Sequence, residues 1–439
     1  MNRETKDSGI NWIGEIPNDW DVKRIKYAVV EMGSGTTPSS DNSHFYGGNI
    51  PWIQSGDLYN TSLITKTSKT VTEQALQSCS ALKIFHKPYI VIAMYGASVG
   101  NVSMSLIDAC TNQACCVIKP NANNNLAYLK YWLEICKTDF INKSVGGGQP
   151  NISQDKIREQ AYICPSLEEQ QIIVEYLDSK TASVDSAIQA QKDIVEKLKE
   201  YKQATITQMV TRGFECNAEM KNTSISGLAQ IPKSWDVIPL KTLFSFSKGL
   251  SITKSDLTDE GIKVISYGQI HSKNCDGVHV TDELIRFTAD EFKSNNSLAK
   301  CGGFIFADTS EDLEGCGNAI YITDEVYGGY HTVVLNPKEE HDYRYLAYLF
   351  KTDAWRTELR KQLTEVKVFS ITQFALKNMH VILPSYEEMV QIADFLDSKC
   401  SKINESIERS NKVIQKLEEY KKSLIYNAVT GKIDCRGEV

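Results

Sequence analysis

The sequence predicts an α+β fold with two mixed α/β domains at opposite ends of a long intramolecular antiparallel coiled coil, related by a pseudo-twofold axis. Three observations carry this prediction. The chain has 439 residues, which is too long for one ordinary core. It contains two copies of one unit, and each copy ends in a long segment free of proline and glycine. The predicted boundaries are 1–160 and 214–380 for the domains, and 161–213 and 381–439 for their helices.

The duplication is visible near both ends of each unit. Glu169–Lys180, EQQIIVEYLDSK, returns as Glu388–Lys399, EMVQIADFLDSK, at an offset of 219 (388 − 169). Gly14–Val22, GEIPNDWDV, matches Ala229–Val237, AQIPKSWDV, at an offset of 215 (229 − 14). The stretch between these landmarks is therefore four residues longer in the second copy (219 − 215). We call the repeated segments of each unit its frame and the dissimilar stretch between them its interior.

The interiors have the pattern of mixed α/β domains. Short apolar runs between Gly, Ser and Asn turns predict buried strands, and each interior then has a helical stretch rich in Tyr and Leu. A globule of about 150 residues is a normal domain size. The predicted strands are Ile50–Ile53, Tyr89–Ala93, Ala114–Ile118, Ile262–Ile265, Gly303–Ala307 and Thr332–Leu335, and the helical stretches are Leu126–Phe140 and Tyr343–Leu363.

Each frame ends in a predicted long helix. Ser166–Glu169 and Ser385–Glu388 have the capping-box pattern. Polar Gln191 and Ser410 interrupt both apolar stripes at one equivalent place, as register-setting residues do. Neither stripe can be buried alone, so we expect the two helices to pair. The seam residues are Val184, Ile188, Val195, Leu198, Tyr201 and Met209 in the first helix, and Ile403, Ile407, Ile414, Leu417, Tyr420, Leu424 and Ala428 in the second.

Composition restricts the class of protein. The chain is 41% hydrophobic and 23% charged, and its longest apolar run, Tyr89–Val99, is too short to cross a bilayer. The polar N-terminus has no signal-peptide pattern, so a cytoplasmic location is expected. The twelve cysteines lack C-x-x-C spacing, which predicts free thiols and no zinc site. The net charge of −7 requires any phosphate-binding Lys and Arg to be clustered locally.

Catalytic motifs are missing. The sequence has no phosphate-binding P-loop, no glycine fingerprint for a dinucleotide or methyl donor, and no Asn-Pro-Pro-aromatic loop for a flipped adenine. Asp282 with Glu291 and Lys293 imitates a nuclease metal triad but lacks the strand placement of such a site. We therefore predict no catalytic residues and no metal site, and interpret the chain as a binding protein.

Several segments resemble one known family. They are Ile16–Trp20 and Ile231–Trp235, both Ile-Pro-x-x-Trp, then Gly148–Ser153, GQPNIS, and Pro165–Gln170, PSLEEQ. In these segments, and over nearly its whole length, the chain resembles the specificity (S) subunits of type I restriction–modification systems. The second unit departs from the pattern at Val368–Thr372, VFSIT, and has Met389 in place of Gln170.

The resemblance implies a function for each part. Each interior would be a target-recognition domain for double-stranded DNA, and the helices would dock as an antiparallel coiled coil. The chain itself would be non-catalytic and without a cofactor. It would bind two methyltransferase subunits, with or without two restriction/translocase subunits. S-adenosylmethionine, ATP and Mg are expected on those partners, which would make the complex an adenine methyltransferase and endonuclease.

The predicted helix length fits this layout independently. A helix from Ser166 to Arg212 is about 70 Å long at 1.5 Å per residue. Two turns of B-DNA are about 68 Å long. We expect the coiled coil to hold two half-sites on one side of the duplex. Since the interiors differ, the half-sites should differ, and since the frames match, one kind of methyltransferase could dock twice.

Candidate DNA-binding residues are polar side chains and glycines in predicted loops, because such groups contact base edges and phosphates. Lys254 and Lys367 are assigned to phosphates. Trp20 and Trp235 are interpreted as core residues because both occupy the same frame position. The candidates are Ser34, Gly35, Thr36, Thr37, Gln54, Ser55, Asp57, Tyr95, Ser98, Asn101, Gly147 and Gln149 in the first domain, and Lys248, Ser251, Thr253, Lys254, Tyr267, Gln269, His271, Thr309, Ser310, His331 and Lys367 in the second.

Two other functions remain open at the level of the sequence. One is a coiled-coil assembly scaffold without sequence-specific DNA recognition, which the acidic net charge favours mildly. A binding assay without sequence preference would select it. The other is a self-sufficient nuclease or methyltransferase, which the missing motifs disfavour. Methyl transfer by the isolated chain would select that one.

Overall fold

The computed structural model describes residues 3–146, 149–215, 217–223, 225, 227–365 and 369–437. The chain divides into two compact units. The first unit is Met1–Gln191 with Lys412–Val439, and the second is Lys192–Asn411. Each unit therefore contains one domain together with half of each long helix.

The elements from the N-terminus to the end of the first long helix begin with short strands and end with 46 helical residues. Short 3-10 turns lie at Ser43–Phe45, Ser55–Leu58 and Gly96–Ser98. The elements are β1 (Thr5–Asp7), β2 (Glu15–Pro17), β3 (Asp21–Arg24), α1 (Ile25–Ala28), β4 (Val29–Gly33), β5 (Tyr46–Ile53), β6 (Leu63–Ile64), β7 (Lys69–Val71), α2 (Glu73–Ser78), β8 (Tyr89–Ala93), β9 (Val102–Ser105), β10 (Cys110–Thr111), β11 (Cys115–Pro120), α3 (Leu126–Ile135), α4 (Lys137–Lys143), α5 (Gln154–Arg158), β12 (Ala161–Cys164) and α6 (Leu167–Arg212).

The remaining elements follow a similar plan and end in a second long helix. Its 3-10 turns lie at Lys254–Asp256, Asp282–Leu284, Asp290–Phe292, Asn295–Ser297 and Cys435–Gly437. The elements are β13 (Met220–Asn222), β14 (Gln230–Pro232), β15 (Asp236–Pro239), α7 (Leu240–Leu243), β16 (Phe244–Lys248), β17 (Leu257–Thr258), β18 (Ile262–Ile265), α8 (Tyr267–Ile270), β19 (Arg286–Thr288), β20 (Leu298–Ala299), β21 (Phe304–Ala307), β22 (Thr309–Ser310), β23 (Ala319–Tyr321), β24 (Val326–Gly328), β25 (Thr332–Pro337), α9 (Arg344–Leu349), α10 (Asp353–Arg360), β26 (Thr364–Glu365), β27 (Phe369–Ser370), α11 (Gln373–Asn378), β28 (His380–Leu383) and α12 (Tyr386–Val429).

The domain of the first unit is built on a sheet with the order β4-β11-β8-β9-β6 and a smaller one with the order β10-β5-β7. Every residue of the central strand β8 is buried. Ile90 and Ile92 pack in the same core cluster as Trp132 of α3. Tyr89 and Val91, which point to the opposite face, join a cluster with residues of the β5 side. Burial on both faces explains why this strand is uniformly apolar in the sequence.

The domain of the second unit repeats the central part of this plan. Its sheets have the orders β16-β25-β21-β23 and β17-β19-β18-β24-β20. Strand β21 is wholly buried, with Phe304 and Phe306 in one core cluster and Ile305 and Ala307 in another. The predicted mixed α/β class is confirmed for both domains.

In the first unit, the start of α6 packs against the end of α12. Ile173 and Leu177 belong to the same core cluster as Leu424 and Val429. Further along the same pair of helices, Lys421 Nζ lies 2.7 Å from both carboxylate oxygens of Asp185. The first residues of one helix therefore meet the last residues of the other.

In the second unit the roles are reversed, and the end of α6 packs against the start of α12. Ile206 and Val210 share a core cluster with Met389 and Ile392. Lys202 Nζ donates a hydrogen bond of 2.8 Å to Asn404 Oδ1. In both units, residue numbers rise along α6 in the direction in which they fall along α12. The predicted antiparallel pairing is therefore confirmed. None of the helices in the described ranges is long and apolar enough to cross a bilayer.

The predicted seam residues are mostly covered. Tyr201 and Tyr420, at equivalent positions, keep 51% and 53% exposure and lie at the margin of the paired helices. Lys399 Nζ lies 5.2 Å from the centre of the Tyr201 ring. The covered members are Val184, Ile188, Val195, Met209, Ile403, Leu424 and Ala428, which are buried, and Leu198, Ile407, Ile414 and Leu417, which are half-buried.

Each domain is attached to its own helix by the same two contacts. Trp20 Nε1 donates to Glu169 Oε2 at 2.8 Å, and Trp235 Nε1 donates to Glu388 Oε2 at 3.0 Å. Both tryptophans are 1% exposed, which confirms their prediction as core residues. These glutamates stand at the head of the repeated helical stretch found in the sequence.

The second shared contact uses the repeated aspartate. The Tyr131 hydroxyl donates to Asp178 at 2.6 Å, and the Tyr348 hydroxyl donates to Asp397 at 2.5 Å. The EYLDSK and DFLDSK sequences are therefore similar because the same carboxylate receives the same tyrosine in both units.

A third contact joins each domain to the helix of the other repeat. The Tyr128 hydroxyl shares its proton between the backbone oxygens of Val429 and Ile163, each at 3.1 Å, and the Tyr345 hydroxyl donates to that of Val210 at 2.8 Å. The last helical carbonyls have no partner within their own helix, and these buried hydroxyls satisfy one in each unit. Each domain core is thus completed by a helix end from the other half of the sequence.

We predict that Tyr345→Phe lowers the free energy of unfolding by about 1–3 kcal/mol, because it leaves the Val210 carbonyl buried without its partner. Urea denaturation of the full chain measures the change. Tyr59→Phe, at a tyrosine that is 70% exposed, serves as the control and should change stability little. Equal stability of the two variants would contradict the role assigned to this hydrogen bond.

Candidate nucleic-acid interface

In the first unit, the strand order brings several candidate loops to one end of the main sheet. β4 and β8 both pair antiparallel with β11, so they run in the same direction and end at the same place. β11 begins at that end. Residues 34–37 follow β4, residues 95–98 lie just beyond β8, and residues 111–114 precede β11. These three segments, with 54–57 and 149–151, are called the first loop cluster.

Hydrogen bonds tie the members of the first loop cluster together. The Gly35 amide donates to Thr111 Oγ1 at 2.8 Å, and Thr37 Oγ1 donates to Gln113 Oε1 at 2.7 Å. A Cβ on Gly35 would lie 2.0 Å from the backbone oxygen of Thr111, so only glycine fits there. Ser34 Oγ accepts from Gln154 at 2.7 Å.

Residues 149–153 of the GQPNIS segment lie along the same loops. Asn151 forms antiparallel bridges with Tyr95 and with Val145, and the Gly96 amide donates to the Pro150 oxygen at 2.9 Å. Tyr95 is 39% exposed, and Gln149 is exposed. Tyr95 and Gln149 are therefore in one cluster with residues 34–37. Gly147 lies outside the described residues.

Some first-domain candidates have local structural partners. The two carboxylate oxygens of Asp57 accept from the amides of Gln54 at 2.8 Å and Ser68 at 3.0 Å, which fixes the turn around Ser55. That turn lies beside the Gly96–Ser98 turn. Asn101 Oδ1 accepts from Lys137 Nζ at 2.7 Å. Asp57 and Asn101 thus hold the shape of the loops.

The second unit has an equivalent arrangement. β16 and β21 both pair antiparallel with β25, so residues after Lys248 and after Ala307 meet the start of β25 at Thr332. The Gly249 amide donates to the Thr332 oxygen at 3.0 Å. A Cβ on Gly249 would lie 2.0 Å from a backbone oxygen, that of Gly329. Residues 248–254, 267–271, 308–310, 330–331 and 369–371 are called the second loop cluster.

Aromatic rings dominate the second loop cluster. The Tyr267 ring centre lies 5.4 Å from that of His331, 5.5 Å from Tyr330 and 6.0 Å from His271. His331 has a φ of 54°, in the left-handed region, and its Nδ1 lies 3.3 Å from Thr309 Oγ1. A non-glycine residue held in this region is uncommon and is enriched at functional sites. The structure thus brings together the candidates Tyr267, His271, Thr309 and His331.

His271 has a defined tautomer. Arg356 Nη2 donates to Asn318 Oδ1 at 2.8 Å, so the Asn318 nitrogen faces His271 Nδ1, at 3.1 Å. Nδ1 must then accept, and the ring proton lies on Nε2, 2.9 Å from the Thr309 oxygen. This ring borders a cleft of about 450 Å³ that is also lined by Tyr267, Ser310 and Asp312.

Other second-domain candidates bind their own backbone. Asp256 Oδ2 accepts from the Thr253 amide at 2.7 Å, and Gln269 Oε1 accepts from the Ser266 amide at 3.2 Å. Ser310 is buried, and its hydroxyl donates to the Asp312 oxygen. Lys248, Ser251 and Lys254 are exposed.

The VFSIT segment of the second unit differs in sequence from GQPNIS, but its described residues have the same backbone arrangement. Thr309 and Ser310 pair with Ser370 and Phe369. The Ile371 amide donates to the Asp308 oxygen at 2.8 Å, as the Ile152 amide does to Met94 at 3.0 Å. Residues 369–372 of the VFSIT segment therefore occupy the place of residues 149–153 of GQPNIS. Lys367 lies outside the described residues.

The structure adds residues that the sequence argument missed. In the first unit these are Thr111, the last residue of β10, and Gln113, in the turn between β10 and β11. In the second they are Asp308, Asn318 and Tyr330, which contact the candidate rings and hydroxyls. Gln113 stands directly before a predicted strand, and this position could have identified it. The start of that strand lies at the same end of the sheet as the other candidate loops.

Metal-binding geometry is not found among the placed side chains, where no group of three His, Cys, Asp or Glu residues could hold an ion. Ten of the described cysteines, Cys79 to Cys400 in chain order, are free thiols. Burial raises the pKa of Cys110 to about 11 and that of Cys116 to about 12, which disfavours the reactive thiolate.

Comparisons with known proteins agree on one family. Residues 17–200 and 232–416 match the model of the type I restriction modification DNA specificity domain. The MjaIX type I restriction enzyme specificity subunit of Methanocaldococcus jannaschii is 30% identical over 260 residues, which cover 57% of this chain and 58% of that protein. The match thus spans less than two thirds of that relative. The MjaVIII specificity subunit of the same organism is 23% identical over 95% of this chain and 94% of its own length.

Solved structures show the same fold. A chain from structural work on complex assembly and conformational transition of the type I R-M system has a TM-score of 0.72 and 14% identity, covering 95% of this chain and 99% of its own. The HsdS subunit of Thermoanaerobacter tengcongensis has a TM-score of 0.51 and 15% identity, covering 95% of this chain and 98% of its own.

We predict that Gln113→Ala changes sequence preference, because an exposed amide at the centre of the first loop cluster can pair with a base edge. Loss of one such contact should reduce discrimination at one base pair by about 1–3 kcal/mol, measured by competition between duplexes. Asn123→Ala, beyond the opposite end of β11, is the control. Unchanged preference at every position of the site would contradict the assignment.

Lys254→Ala should instead weaken binding to all duplexes alike and lower the slope of log K against log salt by about 1, because a lysine contacts phosphate as a point charge. Titrations at several salt concentrations measure this. Lys300→Ala changes an exposed lysine before β21, at the other end of the same sheet, and should leave the slope intact. An altered sequence preference with an unaltered slope would make Lys254 a base-contacting residue.

Proposed function

This chain belongs to the type I restriction–modification DNA specificity family, and from that premise we propose that it recognises an asymmetric bipartite DNA site. Each domain binds one half-site through its loop cluster. One observation carries the proposal. The contacts between domain and helix are the same in both units, whereas the loops at the same end of the equivalent sheets differ.

The two loop clusters have different chemistry. The first is built from hydroxyl and amide side chains, with Thr37 bonded to Gln113. The second is built from aromatic rings and histidines, with Tyr267 beside His331. Different donors and acceptors select different base edges, so the two half-sites have different sequences.

The duplicated frame supports two equivalent docking positions for a partner. The Trp–Glu and Tyr–Asp contacts recur with nearly the same distances in both units. One kind of methyltransferase subunit can therefore bind each unit in the same way, and two restriction/translocase subunits can join the complex. The chain is a non-catalytic specificity subunit, and S-adenosylmethionine, ATP and Mg belong to those partners.

The spacing of the half-sites follows from the long helices. The 46 residues of α6 extend for about 69 Å at 1.5 Å per residue. Two turns of B-DNA have about the same length. This agreement supports two half-sites approached from one side of the duplex with unread base pairs between them.

The alternative function, an assembly scaffold that does not recognise sequence, has the net charge of −7 in its favour. Purified complex that binds all duplexes with equal affinity at physiological salt would select it. The specificity proposal requires at least one duplex to bind far more tightly than the rest under the same conditions.

We predict that exchange of the second interior alone, between β15 and β28, changes one half of the methylated site and leaves the other half intact. Mapping of methylated adenines in cells that carry the chain with its methyltransferase measures this directly. The control is exchange of α12 for the α12 of a close relative, which leaves both loop clusters in place and should preserve both half-sites. A change in both halves after the interior exchange would contradict one half-site per domain.

A further inference from the structure

A cleft in the second unit gathers four positively charged side chains away from the loop clusters. It has a volume of about 460 Å³, and the side chains that matter for its chemistry are Lys199, Lys202, Gln203, Lys351, Arg356 and Asn404. They come from α6, from the junction of α9 and α10, and from α12. No carboxylate is among the residues that line this cleft.

Two of the cations, Lys351 and Arg356, are half-buried. Arg356 donates to the backbone oxygens of Phe350 and Glu314 and to Asn318 Oδ1, all of which are neutral. Burial lowers the pKa of Lys351 and of Arg356, since desolvation penalises the charged form. A cation that is partly withdrawn from water is stabilised by a partner that carries negative charge.

The carboxylates on the Lys351 side are committed elsewhere. Asp276 accepts from the amides of Val278 and His279, both at 2.7 Å, and its other oxygen lies 2.8 Å from His279 Nδ1. Asp397 accepts from Tyr348 and from Arg344. These groups reduce the positive charge behind the cleft but do not neutralise the cations that line it.

The first unit provides an internal comparison. By the repeat, Lys421 corresponds to Lys202 and Asp185 to Asn404, both at the offset of 219 (421 − 202 and 404 − 185). The Lys421 ammonium pairs with Asp185 at 2.7 Å. In the second unit the carboxylate is replaced by the Asn404 amide, and the same lysine is left with a neutral partner.

A second charge is reversed nearby. Glu134 stands three residues after Tyr131 in the first unit and pairs with Lys130 at 2.7 Å. The equivalent residue of the second unit, three after Tyr348, is Lys351. Over the three equivalent positions the formal charge changes from −1, with one lysine and two carboxylates, to +2, with two lysines and one amide. The excess positive charge is therefore a property of the second unit alone.

We propose that this cleft of the second unit is a phosphate-binding site, with Lys202, Lys351 and Arg356 as its cations and the Asn404 amide nitrogen as a neutral donor. The Asn404 oxygen accepts from Lys202, which leaves its nitrogen to face an anion. A phosphate dianion matches the charge excess, and its oxygens accept from several donors at once. The phosphate is carried either by a small molecule, as free phosphate or a nucleotide, or by the DNA backbone. Only the second source rests on the proposed function.

The first experiment titrates pyrophosphate into the full-length chain and follows thermal unfolding, with sodium chloride at matched ionic strength as reference. A ligand of the native state raises the unfolding midpoint. Asn404→Asp rebuilds the ion pair of the first unit, so the fold is kept while the cleft loses charge. We expect Asn404→Asp and Lys351→Gln to weaken pyrophosphate binding by at least tenfold. Lys421→Gln, at the equivalent lysine of the first unit, should bind like the unaltered chain.

The second experiment identifies the source. If the DNA backbone supplies the phosphate, both cleft variants lower the salt slope of duplex binding by about 1 without a change in sequence preference, and pyrophosphate competes with the duplex. If a small molecule supplies it, the slope stays the same while pyrophosphate stabilisation is lost. The pyrophosphate result does not depend on sequence recognition, so it stands even if the proposed function fails.

Two results would overturn the proposal. One is equal stabilisation by pyrophosphate of Asn404→Asp, Lys351→Gln and the unaltered chain, with equal salt slopes. The other is loss of methyltransferase binding in the cleft variants without any effect of pyrophosphate, which would make the cleft a docking site for acidic side chains of a protein.

Discussion

The structure depends on the exchange of helix ends between the two repeats. Neither domain finishes its core with residues of its own half, because Val429 closes the first and Val210 closes the second. The buried hydroxyls of Tyr128 and Tyr345 hold these ends by their last carbonyls. When two equivalent helices pair antiparallel, the end of each one reaches the domain of the other repeat. The direction of each helix is thus fixed by the domain cores as well as by the seam.

This constraint separates the duplicated frame from the dissimilar interiors in physical terms. Frame residues contact the helices, so a change there affects a core that two repeats share. Loop residues lie at the far end of the sheets and contact mainly one another. They can change without disturbing the helix exchange. Gly35 and Gly249 are exceptions among the loop residues. A side chain at either position would collide with backbone, so these two positions cannot change freely.

Much of the fold could be predicted from the sequence, because the duplication and the apolar spacing are local signals. The repeated stretches predicted two similar frames, although the Tyr131–Asp178 and Tyr348–Asp397 contacts within them could not be named. The loop clusters were harder. Gln113 was missed because its place beside Thr37 depends on the strand order β4-β11-β8, which no periodicity gives. Asp57, Thr253 and Gln269 were included because a polar side chain that caps its own backbone has the same sequence pattern as one that faces a ligand.

The four frame tyrosines have a consequence for behaviour in alkali. Burial raises the pKa of Tyr128, Tyr131, Tyr345 and Tyr348 above the ordinary tyrosine value of about 10. In the native chain these phenols keep their protons, whereas in the unfolded chain they ionise above about pH 10. Their contribution to stability is complete below that pH and is lost as the pH rises towards their native values. Strong base should therefore weaken the contacts that join both domains to the long helices.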